Sequence, residues 1–198
     1  MIHLIIGGVR SGKSSYAEKQ VLAQSNVKQC KPCYIATATA EDAEMACRIA
    51  HHQSQRDMSF WQLHECPLNL PRLITTLDDN HCYLVDCLTL WLNNILMLAV
   101  DKQQNELAIS QFINSHVTEL LDALESTSVD ITVVTNEVGQ GIVPINQQSR
   151  LFVDHAGWLN QRTAALAAHV TLIIAGLPVT LKPVNTSISQ HIIGSRDD

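Results

Sequence analysis

The sequence predicts an α/β fold, in which a mostly parallel sheet carries helices on both faces. Short segments rich in Val, Ile and Leu alternate with helical segments along nearly the whole chain. The stretch GGVRSGKSS, which begins at Gly7, follows the first apolar segment and has the spacing of a phosphate-binding loop. A later apolar segment, YLVD, ends in an acidic residue, Asp86. Together these features indicate a P-loop nucleotide-binding fold.

The first half of the chain alternates strands and helices from its start. The predicted elements are, in order, the strand IHLII, the helix SGKSSYAEKQVLAQ, the strand CYIATA, the helix EDAEMACRIAHHQSQR, the short strand FWQLHE, the helix LPRLITTL and the strand HCYLVDC. Acidic residues in the first turn of EDAEMACRIAHHQSQR favour a helix start there.

The second half begins with two helices and then returns to alternation. The predicted elements are the helices LTLWLNNILMLA and ELAISQFINSHVTELLDALES, the strand DITVVTN, the loop EVGQGIVPIN, the helix SRLFVDHAGWLNQRTAALAAHV and the last strands TLIIAG and VTLKP. Apolar residues at helical spacing form a broad stripe on the second of these helices.

The length and composition of the chain favour a single domain. A chain of 198 residues has the usual length of a single domain, and 46% hydrophobic against 16% charged residues suffices for a core. We therefore expect one catalytic domain over residues 1–182 and a polar tail over residues 183–198. The net charge of −6 disfavours nucleic acid as a partner, because that binding needs a concentrated basic face.

Neither a membrane nor a secretory route is indicated. No apolar run reaches the roughly 18 residues of a membrane span, and MIHLII, which leads directly into the loop, is too short for a signal peptide. The six cysteines have no framework spacing. We therefore expect a cytoplasmic protein whose cysteines are reduced.

The pair Cys30 and Cys33 has the CxxC spacing of redox and zinc sites. A zinc site would need a second well-spaced pair, and the other cysteines do not provide one. A thioredoxin-type site needs its first cysteine at a helix start, whereas CYIATA predicts a strand. We expect no metal or redox role for this pair.

The phosphate-binding loop assigns roles to two side chains. Lys13 is expected to reach the β- and γ-phosphates, and the hydroxyl of Ser14 is expected to bind Mg²⁺. Asp86, at the end of a neighbouring strand, is expected to hold the same metal. An aspartate at this position also suits a helix cap for the following CLTLWL.

A candidate nucleophile lies on the second predicted helix. Arg48, His52 and Arg56 follow one another at intervals of four residues, which places them on one stripe. Two guanidiniums would lower the pKa of the imidazole and clamp phosphate oxygens, so that His52 could attack phosphorus. Tandem histidines on a polar helix are more often solvated surface, and the adjacent His51 points about 100° away.

These segments, taken together, resemble one enzyme family. GGVRSGKSSYAE, YIATA, DAEMACRIAHHQSQR, W…HE, VTNEVGQGIVP and HAGWLNQRTA are similar, in this order, to bifunctional adenosylcobinamide kinase / adenosylcobinamide-phosphate guanylyltransferases of cobalamin biosynthesis. The resemblance covers about residues 2–182. It implies a RecA-like fold, a homotrimer, phosphorylation of adenosylcobinamide by ATP or GTP, and transfer of GMP from GTP through a guanylyl-histidine to give adenosylcobinamide-GDP.

The resemblance also implies site residues. The family pattern Arg-Ile-x-x-His-x-x-x-Arg falls on Arg48, Ile49, His52 and Arg56, which favours His52 over His51 as the catalytic residue. The implied nucleotide-binding residues are Gly7, Gly8, Val9, Arg10, Ser11, Gly12, Lys13, Ser14, Ala36, Thr37, Ala38, Gln53, Ser54, Gln55, Arg56, Glu65 and Asp86. Glu65 depends on an alignment with one inserted residue before Trp61. The segment KQCKPC is longer than is usual in the family.

Two other functions remain open at this stage. One is a single-activity P-loop small-molecule kinase, in which His52 only contacts phosphate. The other is a RecA-like ATPase or nucleotide switch acting on protein or nucleic acid, which the acidic charge and the lack of an additional binding domain disfavour. The loop TNEVGQGIVP follows a strand end, where open α/β sheets bind ligands, but the sequence assigns no role to Asn136 or Glu137.

Overall fold

The computed structural model describes residues 1–39, 60–102 and 105–183. Within them, seven strands form one sheet and five helices pack against it. The strands are β1 (Ile2–Gly7), β2 (Lys31–Ala36), β3 (Gln62–Glu65), β4 (His81–Asp86), β5 (Ile131–Asn136), β6 (His169–Ile174) and β7 (Leu177–Lys182). The helices are α1 (Lys13–Lys28), α2 (Leu70–Ile74), α3 (Leu88–Lys102), α4 (Glu106–Ser126) and α5 (Gln147–Leu166).

The sheet order is β3-β2-β4-β5-β1-β6-β7, and all pairs are parallel except that of β6 with the edge strand β7. The register aligns the carboxyl ends of the strands. Gly7 pairs with Asn136, and Ala36 pairs with both Glu65 and Asp86. The predicted site residues on strands therefore lie along one edge, where ligands of open α/β sheets bind. The predicted α/β fold class is confirmed.

Helices cover both faces of the sheet. On one face, Ala17 and Val21 of α1 pack against Ile5, Leu84 and Val134. On the other face, the larger part of the core is formed with α2, α3, α4 and α5. Because both faces are covered, the central strands are buried along their length, which explains their continuous apolar sequences.

Helix starts and ends follow local hydrogen bonds. Asn105 and Asn146 cap α4 and α5, each accepting from the backbone N–H three residues later. The prediction of a helix that continues to Val170 is wrong, because α5 ends at Leu166 and Val170 lies in β6. The β-branched Val170 pairs with Leu4 of β1 instead of extending the helix. The predicted helix EDAEMACRIAHHQSQR and residues 184–198 of the predicted tail lie outside the described residues.

A polar cavity of about 320 Å³ borders the amino ends of β1, β5 and β6. Burial and the neighbouring His169 lower the pKa of His3 in its lining to about 4. Nε2 of His3 lies 2.9 Å from Oγ1 of Thr171. The cavity lies at the opposite edge of the sheet from the strand ends that carry the predicted site.

None of the helices in the described ranges has the length and apolarity of a bilayer span.

The expectation that all cysteines are reduced is wrong, because Cys30 forms a disulfide with Cys82. Cys30 follows α1, and the next residue pairs with the connection before β4 through a hydrogen bond from the Lys31 N–H to the Asn80 carbonyl. This contact brings together cysteines 52 residues apart, which spacing in the sequence does not reveal. Cys33 stays a buried thiol, and burial raises its pKa to about 12.

Reduction of the disulfide should destabilise the fold. The cross-link closes a loop between residues 52 positions apart, so its loss should lower the free energy of unfolding by about 2–4 kcal/mol. Thermal denaturation of the wild type should therefore move to lower temperature in dithiothreitol, and Cys30→Ser should denature at that lower temperature with or without it. Cys66→Ser, which replaces a free thiol, should keep the response to dithiothreitol. An unchanged transition of the wild type in dithiothreitol would contradict this role.

Candidate active site at the carboxyl edge of the sheet

The loop between β1 and α1 has the geometry of an anion site. Ser11 N–H donates to the Gly8 carbonyl over 3.3 Å, and Gly12 has a φ of 91°, in the left-handed region that favours glycine. No side chain caps the start of α1 at Gly12. The first backbone N–H groups of a helix have no partner within it, and they form its positive end. This helix start is therefore suited to bind phosphate.

Two contacts fix the shape of this loop. A side chain at Gly7 would place its Cβ 2.7 Å from both the Ile173 carbonyl oxygen and Oγ of Ser11, so only glycine fits. The N–H of Gly176, in the turn between β6 and β7, donates to the Ser11 carbonyl over 2.9 Å. This turn is not among the predicted site residues, because nothing in its composition links it to the loop.

Lys13 lies at the first position of α1 with its side chain mostly buried. Its Nζ donates to the Gly8 carbonyl over 3.2 Å. Burial lowers the pKa of the ammonium, while the nearby Cys87 and Asp86 act in the opposite direction. Lys13 and Asp86, two predicted site residues from separate elements, therefore lie near enough for their charges to interact. A phosphate oxygen could replace the Gly8 carbonyl as the partner of Lys13.

Asp86 closes β4 at the same edge. Its Oδ2 accepts a hydrogen bond from the hydroxyl of Tyr34 over 2.8 Å. The peptide bond that follows, to Cys87, is cis. The carbonyl of Cys87 accepts from the N–H of Trp91, so Cys87 holds the cap position of α3 and Asp86 lies one residue before it. The capping alternative for Asp86 is therefore not met, and its role at the metal stays a prediction.

Thr37 fixes the segment that follows β2. Its hydroxyl donates to the Cys87 carbonyl over 2.7 Å and accepts from the Cys87 N–H over 2.8 Å. The amide of Asn94 then donates to the Thr37 carbonyl and to the Pro67 carbonyl. The buried Thr37 hydroxyl therefore holds the ends of β2 and β4 together, and the predicted nucleotide contact of residues 36–38 stays a prediction.

Glu65 ends β3 with its side chain exposed, two strands from Asp86. The N–H of Cys66 donates to the Ala36 carbonyl over 2.7 Å, which fixes the end of β3 against β2. The remaining predicted residues, His52, Gln53, Ser54, Gln55 and Arg56, lie outside the described residues, as do His51 and Arg48. Their roles stay predictions.

The oxygen donors at this edge fit a Mg²⁺ ion. Ser14 lies one residue after Lys13 at the start of α1, and the carboxylate of Asp86 is near enough to influence the charge of Lys13. Mg²⁺ typically takes one or two protein oxygens together with water and substrate phosphates, so a larger cage is not required. Within residues 1–39, 60–102 and 105–183, no cluster of three or more His, Cys, Asp or Glu residues could hold a metal.

The family described as cobinamide kinase / cobinamide phosphate guanyltransferase matches residues 3–181. The chain belongs to this family. It is therefore an enzyme, as predicted, and the predicted recognition is confirmed. The family name includes both a kinase and a transferase activity, and no comparison favours the single-activity alternative.

Similar proteins align with this chain over nearly their whole length. The chain is 42% identical to the bifunctional adenosylcobalamin biosynthesis protein CobP of Pseudomonas aeruginosa, over 92% of this chain and 98% of the relative. It is 37% identical to CobU of Salmonella typhimurium and 38% identical to CobU of Escherichia coli, each described as a bifunctional adenosylcobalamin biosynthesis protein. Both alignments cover 92% of this chain and 100% of the relative.

A solved structure shares the fold at low sequence identity. It is an ATP synthase subunit, NeqB, from Nanoarcheaum equitans, with a TM-score of 0.53 and 10% identity. The match covers 86% of this chain but only 46% of that chain. At this identity the likeness concerns the α/β architecture alone.

Replacing the Asp86 carboxylate should impair phosphoryl transfer. Asp86→Asn removes the charge beside Lys13 and the predicted metal ligand, so we expect kcat to fall roughly 100-fold and the Mg²⁺ concentration needed for half-maximal rate to rise. The measurement is initial rate against Mg²⁺ concentration with ATP and cobinamide.

The matched control is Asp79→Asn, an exposed aspartate before β4, at the other end of that strand. It should retain the wild-type rate and Mg²⁺ dependence. If Asp86→Asn also kept both, Asp86 would have no part in the metal site.

Proposed function

We propose that this enzyme phosphorylates the aminopropanol hydroxyl of adenosylcobinamide with ATP or GTP, and then transfers GMP from GTP to the resulting phosphate to form adenosylcobinamide-GDP. The observation that carries the proposal is the pairing of the uncapped start of α1 with Lys13 and Asp86 at one strand edge. Membership of the cobinamide kinase / cobinamide phosphate guanyltransferase family supports the corrinoid as substrate.

In the kinase step, the corrinoid hydroxyl attacks the γ-phosphorus. The backbone N–H groups of the loop and the ammonium of Lys13 stabilise the negative charge on the phosphoryl oxygens during transfer. Lys13 is suited to this role because it is held in a mostly buried position and its hydrogen bond to the Gly8 carbonyl can be exchanged. Electrostatic stabilisation is stronger where water is excluded.

In the guanylyl step, His52 attacks the α-phosphorus of GTP and pyrophosphate leaves. The phosphoramidate then passes GMP to the phosphate of the corrinoid, which frees the histidine. Arg48 and Arg56, four residues to either side of His52, would clamp the phosphate oxygens. This assignment is supported by the family motif in the sequence.

ATP and GTP are the proposed nucleotides, with Mg²⁺ as the resident metal. Ser14 and Asp86 would hold the ion, which when bound would neutralise charge on the phosphates. We further propose a cytoplasmic homotrimer that acts on a small molecule and not on nucleic acid. The acidic net charge supports the last point, and gel filtration giving the mass of a monomer would contradict the trimer.

The proposed nucleophile can be identified by labelling. Incubation with α-labelled GTP and Mg²⁺ should attach acid-labile, alkali-stable label to the wild type and to His51→Ala, but not to His52→Ala. His51→Ala is the matched control, because it removes an imidazole from the adjacent position of the sequence.

Two results would change the proposal. Label lost only in His51→Ala would assign the nucleophile to the neighbouring residue. If no variant took up label while γ-phosphate was still transferred to cobinamide, the protein would be a kinase without a guanylyl-enzyme step.

A further inference from the structure

The strand β5 occupies the position that links the two halves of the candidate site. It lies between β1, which leads into the phosphate loop, and β4, which ends in Asp86. Its last residue, Asn136, pairs with Gly7, while Val134 pairs with Asp86. Side chains alternate along a strand, so Asn136 faces the same side of the sheet as Val134, which packs with Val21 of α1. Asn136 therefore lies beside the loop, on the face that α1 covers.

The backbone of Asn136 is held from two helices. Its N–H donates to the hydroxyl of Thr89 in α3 over 2.7 Å, and its carbonyl accepts from the amide of Asn160 in α5 over 3.0 Å. The next N–H, of Glu137, donates to the Gly7 carbonyl over 3.2 Å. The position of Asn136 relative to the loop is thus fixed on three sides.

The groups that hold Asn136 form a buried network. Oγ1 of Thr135 donates to Oδ1 of Asn160 over 2.8 Å and lies 3.3 Å from Oγ1 of Thr89. All three side chains lie in the buried part of the protein. Burying such a network costs free energy unless each polar group in it has a hydrogen-bond partner. It fixes the end of β5 at this level of the sheet.

The side-chain oxygen of Asn136, unlike the side chains of this network, is buried without a hydrogen-bond partner among the described residues. This atom, Oδ1, exposes less than 1 Å². Oγ of Ser11 in the phosphate loop is buried and unpaired in the same way. A buried polar atom without a partner costs about 1–3 kcal/mol. Two such atoms near the same loop indicate that polar groups are kept there for a ligand.

We propose that Asn136 is a catalytic residue of the phosphoryl transfer, with its carboxamide in contact with the group that moves from the nucleotide to the corrinoid hydroxyl. The inference rests on the proposed kinase activity and adds a residue to it. Oδ1 is buried in the free protein, so the side chain would rotate when the nucleotide binds. A carboxamide has both donors and an acceptor, so after this rotation it can donate to an oxygen of the γ-phosphoryl group and accept from the attacking hydroxyl. Neither Lys13 nor Asp86 can do both.

The reaction that it assists is balanced. The hydroxyl oxygen forms the new bond to the γ-phosphorus, and the bond from that phosphorus to the β–γ bridging oxygen breaks. The nucleoside diphosphate leaves with that bonding pair, and the hydroxyl proton passes to solvent. The carboxamide orients the two reacting groups in line and takes up no proton itself.

The test compares Asn136→Ala and the nearly isosteric Asn136→Asp in both half-reactions. In Asn136→Ala, kcat for γ-phosphate transfer from ATP to cobinamide should fall about 10- to 100-fold, with the KM for ATP within about threefold of wild type. Asn136→Asp should be slower still, because it sets a negative charge against the phosphoryl oxygens. Attachment of α-labelled GMP to the protein, which does not involve that transfer, should stay within about threefold of wild type in the uncharged variant Asn136→Ala.

Thr163→Val provides the matched control. Thr163 is also buried with an unpaired hydroxyl, but it lies one turn before the end of α5, next to the start of β1 and away from the loop. The control should retain both half-reactions. Wild-type transfer rates in Asn136→Ala, or an equal loss of both half-reactions together with a lower melting temperature in both Asn136 variants, would overturn the catalytic role. Absence of γ-phosphate transfer in the wild type itself would instead overturn the proposed function.

Discussion

The parallel register of β1, β5 and β4 is the constraint on which the rest of the site depends. It sets Gly7 level with Asn136 and Asp86 level with Val134. The loop after β1 then turns over the sheet. Glycine is the only residue that fits at position 7, because any side chain there would collide with Ser11 and Ile173. A slip of one residue in this register would turn Asp86 or Asn136 to the opposite face of the sheet.

Hydrogen bonds fix the carboxyl edge of the sheet next to the charged residues Lys13 and Asp86. Thr37 and Cys87 join the ends of β2 and β4 through two hydrogen bonds, and Asn94 holds the same segment from α3. Lys13 is buried beside these strand ends, and its ammonium donates to the Gly8 carbonyl of its own loop. Fixed dipoles around an ammonium that can change its partner provide preorganised stabilisation for a transferring phosphoryl group. The same phosphate site could hold GTP for attack at a different phosphorus.

The sequence predicted the succession of strands and helices along the chain well, but not the contacts between distant segments. The phosphate loop and the acidic end of β4 were predictable, because both depend on local spacing within an apolar strand. The helix predicted to reach Val170 was too long, since pairing with β1 overrides helical propensity there. The disulfide of Cys30 with Cys82 and the role of the turn at Gly176 depend on tertiary contacts, which no local pattern records.

The central claim is that one phosphate loop serves both reactions, and Lys13→Met tests it most directly. Met retains an unbranched side chain but removes the ammonium. The variant is assayed for γ-phosphate transfer to cobinamide and for attachment of α-labelled GMP to the protein, with folding checked by circular dichroism. We expect both to fall about 100-fold or more, because both reactions need the same bound triphosphate. Normal GMP attachment with kinase activity lost would contradict a shared site.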